Sequence, residues 1–400
     1  MKKKYISLIM VVTLLTMLTA CSTTTTALKY TTEQKQEDFL FAYNVLANEY
    51  PLFAVKQRQH KVQWLANKDT YLKRITETKN DKQFYKELAL IIAEIKDGHT
   101  NVVSPTFYYY VQDLLKNSEV NSDKFVNEFL VEPLNDSQED YKYWNEVFGN
   151  PKKVTQKDIK NNTKKSVDFS SYHNGDTIYI KFSSFSVSEE GCQQVYDYIV
   201  ENKNCSNIII DIRDNSGGSD LQWINNIVSP LNNNTYQNNK YMALRGGEIS
   251  EKYTKILGGN KIAICERPEL PNYPPEISTD FKYLLKTEQK IVPQKPIGFT
   301  GDIYVLTNKK VFSAGEGFAT FCKRTGFATL VGERTGGDGG STSPIFVKLP
   351  NSGLLLRMRL QMTLNPDGSA NAEYGTAPDI EVKAEHALTE TLKIIEGKTE

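Results

Sequence analysis

The chain has 400 residues, 39% of them hydrophobic, which is ample for a packed core and more than one domain's worth of sequence. Lys plus Arg (48) equals Asp plus Glu (48), so neither a basic face for nucleic acid nor an acidic solvating tail is indicated. Five cysteines, none in CxxC spacing, exclude a disulfide scaffold, a structural zinc and a dithiol redox motif.

The opening stretch "MKKKYISLIMVVTLLTMLTAC" has a lysine-rich start, an apolar run too short to span a membrane comfortably, and small residues before Cys21. Residues 1–20 therefore read as an export signal. "LTAC" resembles a bacterial lipobox, which implies lipidation of Cys21, a tether over 21–30 and an extracytoplasmic, membrane-anchored protein.

Residues 31–100 read as a helical domain. "EDFLFAYNVLANEYPLF" sets Phe39, Tyr43, Leu46 and Tyr50 at helical spacing, and "DKQFYKELALIIAEIKDGHT" does the same with Phe84, Leu88, Ile91 and Ile95. Asp81 is the expected cap of the second helix and Gly98 its expected left-handed stop, leaving His99 just beyond a helix C-terminus. Residues 101–173 are rich in Tyr, Asn and Lys with weak periodicity, and read only as a connecting region.

From 174 to 383 the texture changes. "DTIYIKFSSF", "NIIIDIRDN", "GDIYVLTN" and "FATLVGE" are apolar strand-like runs, alternating with the helical patterns "SEEGCQQVYDYIVENK" and "AGEGFATFCKR". That order predicts an α/β core with a parallel sheet covered by helices. Residues 231–300, with "NNNTYQNN" and several prolines, read as an excursion of little regular structure. "SPIFVKLPNSGLLLRMRL" reads as a hairpin turning at Asn351–Gly353, and 384–400 as a C-terminal helix or tail.

Three places carry candidate chemistry. Ser313 follows a strand and opens a helix, a place that suits a nucleophile, although by position alone a serine there is more often simply a helix cap. Gly217 and Gly218, at a strand's carboxyl end, can turn backbone N–H groups outward as an oxyanion hole or simply make a tight turn. His99 sits where a helix's negative end favours the imidazolium that a general base becomes, although a lone histidine is more often a surface or hydrogen-bond-satisfied residue.

Taken together, "DGHT", "DIRDNSGGSD", "TNKKVFSAGEGFA", "LVGERTGG" and "EYGTAPDIEV" resemble, in order and approximate spacing, the tail-specific (C-terminal processing) serine peptidases and their tricorn-core relatives. The resemblance implies a ClpP/crotonase-like sheet presenting Ser313, with oxyanion donors at Ala314 and at Gly217 or Gly218. The tail-specific branch carries a lysine base where this chain has Asp338, so the histidine-bearing branch is the nearer. That branch implies His99 as base and Glu373 as the supporting acid; Lys309 and Lys310 are replacement bases by proximity alone. Related chains commonly insert a PDZ domain, for which 101–173, with Gly149 as its lone glycine, has too few glycines. The implied activity is serine-type hydrolysis of polypeptides through an acyl-enzyme, with no metal or organic cofactor. The alternative is a catalytically retired binding protein, since retinoid-binding relatives use the same fold to carry ligands.

Overall fold

The computed structural model describes residues 28–116, 123–151, 167–339 and 343–397. The export signal, Cys21 and most of the tether lie outside the described residues. Among those described, no helix is long and apolar enough to cross a membrane.

The strands in chain order are β1 (Asn101–Val102), β2 (Val167–Tyr172), β3 (Thr177–Phe182), β4 (Asn207–Asp211), β5 (Tyr236–Leu244), β6 (Asn260–Ala263), β7 (Tyr283–Ile291), β8 (Asp302–Thr307), β9 (Thr329–Gly332), β10 (Ile345–Lys348), β11 (Leu355–Met358), β12 (Gln361–Thr363) and β13 (Ile380–Glu381). Six of them form the central sheet in the order β13-β9-β8-β4-β3-β2. All its pairings are parallel except β2 against β3.

Strand β4 is buried along its whole length, as expected of an apolar strand covered on both faces. Side chains alternate between the two faces. Ile178, Ile180, Ile208, Ile210 and Val305 join one core with Phe318 and Phe321 of the helix Ala314–Thr325. Tyr179, Ile209, Tyr304 and Leu306 point the other way, against the C-terminal helix Ala387–Ile395.

The N-terminal helices Thr32–Glu49 and Asp81–Ala93 form as their periodicity predicts, and bury Phe39, Leu46, Phe84, Leu88 and Ile91. Two local details differ. Asn80, not Asp81, caps the second helix, accepting from the Gln83 N–H at 2.9 Å. Asp81 is instead buried in an ion pair with Lys35 at 3.0 Å. The left-handed residue after the helix is Lys96 (φ 59°), not Gly98. Gly98 is small for another reason: a Cβ there would lie 3.3 Å from the Phe312 ring.

The excursion 231–300 is more regular than its composition suggests. It supplies β5, β6 and β7 of a four-stranded antiparallel sheet, order β12-β5-β7-β6, and the helix Glu248–Leu257. Its strand signal is hidden because Asn238 and Lys240 occupy buried positions of β5, where an alternating pattern would place apolar residues. The region 101–173 contributes β1 and the helices Pro105–Lys116 and Gln138–Val147. β10 and β11 pair as the expected hairpin, and β1 adds to its edge.

Candidate active site

The site lies where neighbouring parallel strands β4 and β8 end, the usual location for reactive groups in open α/β sheets. After β8 the chain turns through 308–312 into Ser313, whose backbone has φ 55° and ψ −120°. A left-handed φ is unfavourable for a serine and marks a tight turn that pushes the side chain outward. Ser313 occupies the N-cap position, yet its hydroxyl makes no capping bond. Instead Oγ lies 3.3 Å from His99 Nε2.

His99 is held from three directions. Its N–H donates to Asp97 Oδ1 at 3.1 Å, and its ring stacks on Phe312 with centroids 5.0 Å apart. Its Nδ1 lies 2.8 Å from Asp338 Oδ2. An ionised carboxylate only accepts, so the Asp338 contact calls for the ring proton on Nδ1, with Nε2 left to accept from the serine hydroxyl, whereas the Arg359 guanidinium that also touches Nδ1 can only donate. Burial pushes the His99 pKa below its ordinary value; Asp338 pulls it up, while Arg359 and Arg357 push it further down.

Asp338 comes from the loop after β9, in a left-handed conformation (φ 73°). That loop is tied at Gly336, whose N–H donates to Val311 O at 2.9 Å, and at Thr335, whose N–H donates to Thr376 O at 3.1 Å. Beneath it lies Arg359, 4% exposed at the side chain. Its Nε donates to Asp97 Oδ2 at 3.2 Å, and its two terminal nitrogens contact Asp338 and His99 Nδ1. Burial alone would raise the Asp97 carboxyl, but Arg359, Lys56 and His99 together hold it well below the usual carboxylate range. Asp97, His99 and Asp338 converge closely enough to ligate a metal ion. The guanidinium of Arg359 touches all three and supplies the cation that such a cluster calls for.

The oxyanion candidates separate on geometry. Gly217 donates its N–H to Asn215 Oδ1 at 2.9 Å. Among the described residues no acceptor faces the N–H of Gly218 or of Ala314, the first residue of the helix. Gly217 is still required: with φ 111°, a Cβ on it would come 2.6 Å from Ser313 Cβ.

Glu373, expected beside His99, is elsewhere. Its Oε1 accepts from Arg58 Nε at 2.8 Å, and the same guanidinium donates to both Glu276 oxygens at 2.8 and 2.9 Å. Arg58, on the helix Phe53–His60, draws the carboxylate outward, and Asp338 stands on His99 in its place. The turn bearing Glu373 nonetheless borders the site through Asn371, whose Oδ1 accepts from the Gly339 N–H at 3.0 Å. Lys310 is paired with Asp214 at 2.9 Å, and both Lys309 and Lys310 are exposed.

Four participants escaped sequence reading: Asp97, Asp338 as partner of His99, Arg359 and Glu316. Each had a faint signal. Asp97 stands two residues before His99, Asp338 where the tail-specific branch carries its lysine, Arg359 just past the mostly apolar run of the hairpin's second strand, and Glu316 one helical turn after Ser313. Glu316 is fully buried. Its carboxylate accepts from Thr376 Oγ1 at 2.6 Å, Asn371 Nδ2 at 2.7 Å and the Gly337 N–H at 3.3 Å. It thereby ties the serine helix to the loop of Asp338.

The sequence model of peptidase family S41 matches residues 176–382. Among solved structures, a protein of Parabacteroides merdae ATCC 43184 is similar at 20% identity, covering 91% of this chain and 93% of that one, with a TM-score of 0.53. Mature CPAF is similar at 13% identity over 91% of this chain and 96% of its own, with a TM-score of 0.54. At such identities these two likenesses speak for the fold.

Proposed function

The chain belongs to peptidase family S41, and from that premise we propose that it is a serine peptidase acting through Ser313, His99 and Asp338. The observation that carries the reading is the unbroken line Ser313 Oγ, His99 Nε2, His99 Nδ1, Asp338 Oδ2, at 3.3 and 2.8 Å across the two gaps.

Ser313 Oγ attacks the carbonyl carbon of a peptide bond as His99 Nε2 takes its proton. Asp338 keeps the imidazole in the receptive tautomer and stabilises the imidazolium that forms. The N–H groups of Ala314 and Gly218 meet the oxyanion, each donor contributing about 3 to 4 kcal/mol. His99 then protonates the leaving amine, and water, activated by the same imidazole, hydrolyses the acyl-enzyme. The 3.3 Å serine–histidine separation is loose for a hydrogen bond to a reacting hydroxyl, as is usual before substrate closes the site. The sequence ahead of residue 28 supports export and lipid anchoring at Cys21 as part of the same proposal.

A labelled fluorophosphonate tests the chemistry: wild type should be modified at Ser313 and Ser313→Ala should not. Absence of label on the folded wild type would favour the retired binding protein.

A further inference from the structure

Two arginines stand two residues apart in the extended run at the end of β11, and an extended chain turns such residues to the same side. Arg359 is used up by Asp97 and Asp338 beneath His99. Arg357 has no such partner: among the described residues it forms no ion pair. One nitrogen, Nη1, reaches Gly98 O and Asn101 Oδ1, each at 3.3 Å. The guanidinium lies over the Phe107 ring, 5.7 Å from its centroid. A cation placed over a ring in this way uses none of the N–H donors at the edge of the group. On that edge Nε and Nη2 have no protein acceptor among the described residues, and these two nitrogens form the fork that grips a carboxylate side-on.

The position gives the fork a meaning. β1 pairs with β11 so that Asn101 faces Arg357, which brings Arg357 against the residue preceding His99. His99 must protonate the leaving nitrogen, so the peptide beyond the scissile bond passes on its side of Ser313, away from the N–H groups of Ala314 and Gly218. Burial pushes the Arg357 pKa down to about 10, with Asp97 and Asp338 opposing the fall. Both of those acids are committed to Arg359, so an incoming anion has no internal rival.

We propose that Arg357 forms a carboxylate-binding subsite on the leaving-group side of the site, selecting substrates with an acidic group just beyond the scissile bond. The direction "leaving side" rests on the peptidase reading; the anion site itself does not. The carboxylate can come from an Asp or Glu side chain or from a chain terminus.

The test uses the full chain carrying Ser313→Ala, so that binding is read without turnover. Three pools of acetylated octapeptides, randomised over neutral residues, are equilibrated with it and the bound fraction is counted by mass spectrometry. One pool is amidated and neutral, one has a free C-terminal carboxylate, and one is amidated with a single Glu walked through the sequence. A carboxylate-bearing pool should be retained about tenfold or more over the neutral one, as charge-assisted hydrogen bonds imply, and the advantage should shrink with added salt. The winning pool identifies the source. Adding Arg357→Met should bring the ratio near one and Arg357→Lys should keep part of it, whereas Lys261→Met, which removes a distant exposed charge, should leave it intact. Equal retention of all pools, or a ratio indifferent to Arg357→Met, overturns the subsite. Wild-type hydrolysis of the same pools is scored separately: binding preference without hydrolysis sinks the peptidase reading and keeps the anion site, and hydrolysis without preference does the reverse.

Discussion

His99 Nδ1 and Asp338 Oδ2 meet at 2.8 Å although 239 positions separate the two residues in the chain. For the proposed peptidase the pairing makes Asp338 the supporting acid, while Glu373 is held by Arg58 at 2.8 Å. Asp338→Asn should therefore lower kcat by about a thousand- to ten-thousandfold, because an amide can donate to Nδ1 and stabilise the wrong tautomer. Glu373→Gln should keep most of the rate and lose about 1 kcal/mol or less of stability, since Arg58 is one-third exposed (33%) and its ion pairs are partly screened. Steady-state kinetics and urea unfolding of both variants decide the matter; the opposite ranking of rates would return Glu373 to the histidine.

The pH dependence follows from His99. Burial, Arg359 and Arg357 hold its pKa below the ordinary 6.5. The rise of kcat/KM with pH should therefore pass through an apparent pKa below 6.5. A rise above about pH 8 would point to a lysine base instead.

The same shift makes a stability prediction. Below pH 6.5 the unfolded chain takes up a proton at His99 that the folded chain resists, so folding weakens as pH falls from the unfolded pKa toward the folded one. Urea midpoints at pH 7.5 and pH 5 should differ more in wild type than in His99→Gln, which has nothing to titrate. Equal differences would mean that the imidazole is not depressed.

Glu316 links the serine helix to the acid loop, and removing its carboxylate takes the acceptor from the buried Gly337 N–H and leaves Asn371 Nδ2 and Thr376 Oγ1 with only Asn365 Oδ1 and Thr320 Oγ1 as partners. Glu316→Ala should cost about 2 to 4 kcal/mol in unfolding free energy. It should also lower kcat by displacing Asp338, while Glu316→Gln recovers part of both. A variant of normal stability and rate would remove Glu316 from this role.

At Gly218 the backbone has φ 140°, and a Cβ would lie 2.2 Å from the Phe185 carbonyl. Gly218→Ala should therefore swing the N–H away and cost about a hundred- to a thousandfold in kcat. Labelled palmitate fed to cells should mark wild type and not Cys21→Ser; label on neither would end the lipid-anchor proposal.

Much of this was legible in the amino-acid sequence because it depends on local rules. Apolar runs ending at Asp211 and Thr307, each followed by glycine- or serine-bearing turns, announced buried parallel strands presenting groups at their carboxyl ends; Ser313 and the Gly217–Gly218 pair were visible at such turns, and His99 beyond a helix end. The regularity of 231–300 was not legible, because β5 buries Asn238 and Lys240 and so breaks the pattern by which strands are recognised.

Which acid serves His99 was decided only in three dimensions. Asp338 and Glu373 both stand in glycine-bearing turns near the end of the chain, and no local propensity ranks them. The choice is made by two arginines from distant segments: Arg58 of the N-terminal helices takes Glu373, and Arg359 of the hairpin takes Asp338 and Asp97 beneath the imidazole. Charges removed from water must be compensated where they come to rest, so the pairing of a buried carboxylate is set by its final neighbours and not by its place in the sequence.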